Sequence, residues 1–211
     1  MYTGIVKAVR PLTGVTPYAG HTQFAIDFTD ELLADLKIGA SVSVEGTCMT
    51  VAGLAGPRVT FEAMSATLNR TNLRRFKSGD VVNIERSARM NEEVGGHLMA
   101  GHVATTAEVV ELSVREEGAF IRFHVPAKWA KYIFPRGFLG VNGCSLTVAE
   151  VEDNVVTINL IPETLRQTTF ASYQPGDLLN IEVDHQTVVL FDVVERTIAG
   201  SLSRISAAAL V

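Results

Sequence analysis

Few of the usual markers of nucleotide, metal or membrane chemistry occur in this sequence. Its whole stock of cysteine is Cys48 and Cys144. They lack the spacing of a zinc site or a CxxC redox pair, so neither a structural metal nor a disulfide is required. There is no GxxxxGK[ST] loop, no strand-linked GxGxxG and no HExxH, which removes the common phosphate, dinucleotide and zinc routes. No Lys/Arg cluster exceeds Arg74-Arg75 and the net charge is −5, so a nucleic-acid backbone would find little to hold. No window approaches the roughly 20 apolar residues that span a bilayer. The opening MYTGIVKAVRPLTG lacks the basic start and apolar core of a secretion signal. These absences predict a soluble, cytoplasmic protein with no nucleic-acid and no membrane partner.

What is present is an apolar composition, 47% hydrophobic against 19% charged, ample for a packed core and too high for a disordered chain. A length of 211 residues lies between one large domain and two small ones, and an internal repeat decides between them. VEGTCMTVAG, from Val44, returns as VNGCSLTVAE from Val141, an offset of 97 residues. The same offset carries Thr67-Leu68 onto Thr164-Leu165, Thr71 onto Thr168, GDVVNIE (Gly79 to Glu85) onto GDLLNIE (Gly176 to Glu182), and Gly4 and Val6 onto Gly101 and Val103. A gap-free match over about 85 positions is a duplicated domain, longer than any solenoid unit. The predicted units are 1–97 and 98–187, with a helix and tail over 188–211.

Within each half, short β-branched and aromatic runs punctuated by Gly or Pro read as strands: GIVKAV, TQFAIDF, SVSVEG, CMTVAGL, RVTFEA and VVNIER in the first. Six short strands that close on themselves leave no exposed edge, so each half is predicted to be an antiparallel barrel and the fold class all-β. Helical pieces interrupt the first half at TDELLADLKIG, with Thr29 as N-cap, and at SATLNRT; PAKWAKYIFPRG and PETLRQTTF repeat them in the second. After Glu182 the period changes. Leu190, Val194 and Ile198 fall at helical spacing with Phe191 beside them. This helix has no counterpart in the first half, and the expectation is that it joins copies of the chain.

The halves differ where chemistry could reside. Cys48 aligns with Ser145, His102 with Ile5, and Asp184 with Ser87. A strand cysteine is commonly a small buried hydrophobe, and a lone histidine is commonly structural. The glycines of GGHLMAGHV, around His97 and His102, mark close packing where the barrels join. Thr50, Thr67, Thr147 and Thr164 serve either as β-formers or as hydroxyls for an amide-rich heterocycle.

MYTGIV, GGHLMAGHV, VNGCSLTV, IPETLRQTT, VNIER and NIEVD together resemble the alpha-type riboflavin synthases, and the likeness runs from Met1 to about Arg196. The resemblance implies two six-stranded Greek-key barrels and a C-terminal helix that gathers three chains into a homotrimer. Each active site would lie between the N-terminal barrel of one subunit and the C-terminal barrel of its neighbour. It implies that two molecules of 6,7-dimethyl-8-ribityllumazine exchange a four-carbon unit to give riboflavin and 5-amino-6-ribitylamino-2,4(1H,3H)-pyrimidinedione, with no metal or organic cofactor. Carried over by motif, Ser41, Cys48 and His102 form the polar set of the N-terminal pocket, with Cys48 or Ser41 assisting nucleophile addition and His102 carrying protons. Thr50, Thr67 and Val103 hold that pocket's ligand. Arg136, Ser145, Thr147, Ile161 and Thr164 bind in the C-terminal pocket, where Asp184 is the carboxylate aimed at the partner ligand. Association with a lumazine synthase is left open.

The chain departs from the family's pattern at four places. Glu45 stands where Asn is common and Ala66 where Glu is common, which bears on ligand hold in the first barrel. Arg136 replaces a common Lys and stays protonated. Tyr2 replaces the usual Phe. The alternative reading is a fluorescent antenna protein of the same duplicated fold, which binds a lumazine without turning it over; the joint presence of Ser41, Cys48, His102 and Asp184 favours the enzyme.

Overall fold

The computed structural model describes residues 1–208. Two closed six-stranded barrels of one topology account for most of it. The first is made of β1 (Ala8–Tyr18), β2 (His21–Asp27), β3 (Ser41–Val44), β4 (Thr47–Ala55), β5 (Arg58–Met64) and β6 (Val81–Arg86), in the order β1-β2-β5-β4-β3-β6. The second is made of β7 (Thr105–Arg115), β8 (Gly118–His124), β9 (Phe138–Val141), β10 (Cys144–Glu152), β11 (Val155–Leu160) and β12 (Leu178–Val183), in the order β7-β8-β11-β10-β9-β12. All pairings are antiparallel. In each barrel the second strand is followed in space by the fifth, a Greek-key connection.

Alternation along the strands fills each barrel. In β5, Val59, Phe61 and Ala63 point in while their neighbours face out. Phe24, Ile26, Val42, Met49, Val51 and Ile84 join them in one core; Ile121, Phe123, Leu139, Val148, Ile158 and Ile181 form the other. The first strand differs from its sequence expectation: it starts at Ala8, and Gly4, Ile5 and Val6 lie outside it. Gly4 has a positive φ of 72°, and the Thr3 and Gly4 amides are engaged by a side chain of β6, so the chain there leaves the first barrel before it can pair. The helical pieces are short: α1 (Asp30–Leu33), capped by the Thr29 hydroxyl accepting from the Leu32 amide, α2 (Ser65–Arg70), α3 (Ala127–Ala130) and α4 (Pro162–Gln167).

The barrels meet at the tips of two equivalent hairpins, Glu45-Gly46 and Asn142-Gly143, whose φ values (49°, 77° and 47°, 83°) are those of tight two-residue turns. A Cβ on Gly46 would lie 2.5 Å from the Gly143 nitrogen, so only glycine lets the tips touch. Around them the two halves exchange bonds. Asn83 Nδ2 donates to the Asn142 carbonyl at 3.1 Å, and its repeat mate Asn180 donates to the Glu45 carbonyl at 2.8 Å.

Helix α5 (His185–Ala208) leaves the second barrel and packs on it through Phe191, whose ring sits 5.3 Å from that of Tyr132. The Tyr132 hydroxyl donates to Asp192 and Lys131 pairs with Glu195. Val189, Leu190, Val193, Val194 and Ile198 are exposed along the rest of it. No helix among the described residues is long and apolar enough to cross a membrane.

Candidate active site

The segment Met99–Val103, which links the barrels, lies against the first barrel as residues 2–6 lie against the second. The exchange is held by one clamp used twice. Glu85 accepts from the Thr3 and Gly4 amides at 2.6 and 3.1 Å. Its repeat mate Glu182 accepts from the Ala100 and Gly101 amides at 2.6 and 2.9 Å. Burial raises the carboxyl pKa of both, and the bonded amides pull it back. The Cys48 amide then donates to the Gly101 carbonyl and the Ser145 amide to the Gly4 carbonyl, each at 2.8 Å. This clamp escapes a search for reactive side chains; its signal was the identical NIE in both halves.

Because Gly101 is clamped, His102 and Val103 face Cys48 across a cleft of about 390 Å³ lined also by Thr47, Ala66, Thr67 and Arg70. A Cβ on Gly101 would stand 2.7 Å from the Cys48 Cβ. Thr67 comes from α2. Cys48 and Thr50 alternate onto the outer face of β4, and Ser41 on β3 is the register partner of Thr50. Thus Cys48, Thr67, His102 and Val103 line one cleft, while Ser41 and Thr50 lie one step along the strands beside it. The Ser41 carbonyl accepts from the Ser87 hydroxyl at 2.9 Å.

His102 and Val103 also line a larger cavity of about 700 Å³ with His97, Glu182 and Asp184. Asp184 caps α5, accepting from the Thr187 amide at 2.9 Å and the Thr187 hydroxyl at 2.6 Å. Burial opposes its ionisation, but those bonds and the nearby His97 outweigh burial and hold the carboxyl below its ordinary value. It is a carboxylate at neutral pH. His97, read from sequence as structural, has its Nδ1 2.6 Å from the Ser145 hydroxyl and its ring stacked on Phe138. Burial lowers its pKa against the pull of Asp184, and its Nε2 has no partner among the described residues.

In the second barrel Ser145 and Thr147 alternate onto one face of β10, with Phe138 the register partner of Thr147. Ile161 and Thr164 stand at the start of α4, Ile161 exposed. Arg136 is exposed in the turn before β9 at a positive φ of 69°, where the first half has Gly39. None of Arg136, Thr147, Ile161 and Thr164 lines either cavity. His102 and Val103 are thus shared between the cleft of Cys48 and Thr67 and the cavity of Asp184, and Ser145 touches that cavity's His97, whereas Arg136, Thr147, Ile161 and Thr164 line neither.

Of the departures, Ala66 lines the first cleft and Glu45 does not. The Glu45 carboxylate is fully buried at the junction of the barrels. It accepts from the Asn83 amide at 2.7 Å, the Tyr173 hydroxyl at 2.8 Å and the Thr169 hydroxyl at 3.3 Å. Burial raises its pKa to about 7, with those donors opposing. Among the described residues no group of three or more His, Cys, Asp or Glu is placed to hold a metal ion.

Comparison with known proteins adds a family to this geometry. Residues 3–87 and 100–184 each match the lumazine binding domain. Riboflavin synthase of Escherichia coli (strain K12) is 42% identical over 200 residues, 94% of this chain and 94% of that protein. Riboflavin synthase of Chlamydia pneumoniae is 31% identical, over 95% of this chain and 98% of its own length. Among solved structures, LumP complexed with riboflavin superposes with a TM-score of 0.81 over 87% of this chain and 99% of LumP, at 23% identity, a likeness of fold.

Proposed function

The chain belongs to the lumazine-binding domain family, and from that premise we propose that it is a riboflavin synthase. Two molecules of 6,7-dimethyl-8-ribityllumazine react: one gives up a four-carbon unit and leaves as 5-amino-6-ribitylamino-2,4(1H,3H)-pyrimidinedione, the other accepts the unit and becomes riboflavin. The near-full-length identity with riboflavin synthases carries this reading.

The two substrates together contain every atom of the two products, so the work left to the protein is positioning and proton movement. Paired barrels suit that work, because each is one pocket for the same heterocycle, and their side chains differ where donor and acceptor must be treated differently. In the first pocket Thr50 and Thr67 hold a lumazine, Cys48 or Ser41 assists addition at its C7, and His102 carries the proton. In the second, Arg136, Ser145, Thr147, Ile161 and Thr164 hold the partner, with Asp184 as the carboxylate that acts across the gap. That Arg136, Thr147, Ile161 and Thr164 lie outside the cleft around Cys48 favours a site completed by another copy, as does the exposed apolar stripe of α5. The assembly is a homotrimer, each unit comprising barrels 1–97 and 98–187 and the helix from 188. It works in the cytoplasm, in keeping with two free cysteines. A lumazine synthase is a candidate companion as the source of substrate.

The test is to incubate purified protein with 6,7-dimethyl-8-ribityllumazine and follow products by absorbance and chromatography. One riboflavin and one pyrimidine for every two lumazines supports the reading. Tight binding without product would make the protein an antenna or storage protein of the same fold.

A further inference from the structure

Tyr2 is buried beneath the first cleft, and its hydroxyl donates to the Cys48 sulfur at 3.2 Å. The contact is not a loose one. Tyr2 forms a bridge with Met99 through bonds of 2.8 and 3.0 Å, and a Cβ on Gly101 would meet its ring at 2.8 Å. The ring, the clamped segment and Cys48 therefore have one arrangement. Repeat symmetry makes it specific to the first barrel: the mate of Tyr2 is Met99 and the mate of Cys48 is Ser145, so the second barrel has no hydroxyl to offer at the equivalent point. The phenol stays protonated, since burial, and after it the neighbouring Cys48, push its pKa far above the ordinary value.

We infer that Tyr2 is a positioning residue for the reaction, holding the Cys48 sulfur as a hydrogen-bond acceptor and so fixing how the sulfur faces the cleft. A sulfur held in one orientation meets a ligand in the cleft without first having to find it. The other titratable groups facing this pair are the Glu85 carboxylate, already engaged by Thr3 and Gly4, and His102 and Arg70 across the cleft. Of these, Tyr2 alone donates to the sulfur among the described residues. Phenylalanine, which keeps the ring, would pack the same way and leave the sulfur without this donor.

The inference rests on the riboflavin synthase reading for its consequence in turnover, but not for its chemical test. Cys48 is half-buried in an open cleft, whereas Cys144 is buried and its thiol is pushed up to about 12 by burial, so iodoacetamide should label Cys48 alone. In Tyr2→Phe the labelling rate at pH 7 is expected to fall about three- to tenfold, the worth of one such bond. Lumazine affinity, read from its fluorescence, should stay within about twofold while kcat falls by the labelling factor. In a Cys48→Ser background the Tyr2→Phe change should have little further effect on kcat. An unchanged labelling rate in a Tyr2→Phe protein that melts like the wild type overturns the inference, as does a lowered rate with unchanged kcat. Absence of riboflavin from the wild type would instead count against the enzyme reading, and the labelling comparison would still stand or fall alone.

Discussion

Cys48 and Ser145 hold the same place in the two halves, each with its amide bonded to a glycine carbonyl of the exchanged segment. What separates them is the sulfur and its surroundings, which give one barrel a polarizable thiol and the other a hydroxyl bonded to His97. Glu45 is a second residue whose repeat mate, Asn142, is uncharged. Its folded pKa of about 7 lies above the roughly 4.3 of an unfolded glutamate. Stability is therefore fullest below about pH 4.3 and is lost as pH rises through 7. A neutral Gln at this position has no such dependence, so the stability of Glu45→Gln relative to wild type should move in the variant's favour by about 3 kcal/mol between pH 4 and pH 8, measured by urea unfolding. An equal difference at both pH values would mean the carboxyl titrates normally. Sequence located this residue as a departure but misjudged its neighbourhood: the residues that enclose it, Asn83, Thr169 and Tyr173, lie 38 to 128 positions away, and no local pattern reports them.

At the scale of elements, strand periodicity and the repeat made the two barrels legible, and Thr29 signalled its helix correctly. The start of β1 was misread because Gly4-Ile5-Val6 carries the composition of a strand, while the Glu85 carboxylate of β6 takes the Thr3 and Gly4 amides. The same clamp on the other side positions His102. Gly101→Ala should therefore cost at least about 2 kcal/mol, since the methyl meets Cys48 and Tyr2 and the positive φ disfavours it; thermal unfolding would show it, and a melting temperature like wild type would mean the segment is loosely held. Asp184 has two tasks, capping α5 and facing the cavity. Asn also caps, so Asp184→Asn should keep stability while lowering kcat at least tenfold. Asp184→Ala should lose about 1 kcal/mol of stability in addition. Loss of lumazine binding alone in the Asn variant would assign the carboxylate to the wrong step.

For the whole molecule, duplication supplies two barrels of one topology, and in the proposed homotrimer the unpaired helix is what joins the chains. The repeat was readable from the sequence; which surface each pocket opens onto was not, because that depends on how two closed barrels turn about the Gly46 and Gly143 contact. Replacing Leu190 and Val194 on the exposed stripe by Glu should leave a monomer of 22.8 kDa in sedimentation, with both barrels folded and turnover lost. An unaltered assembly would place the interface elsewhere. The measurement that bears most directly on the account co-expresses Cys48→Ala and Asp184→Asn chains and isolates the mixed assembly. If the reacting lumazines are held by barrels of different chains, one site in three of each mixed trimer contains neither substitution, and activity should return to about a third of the wild-type rate. If a site is built within one chain, every site carries a substitution, and a mixture no more active than its parents would contradict the account.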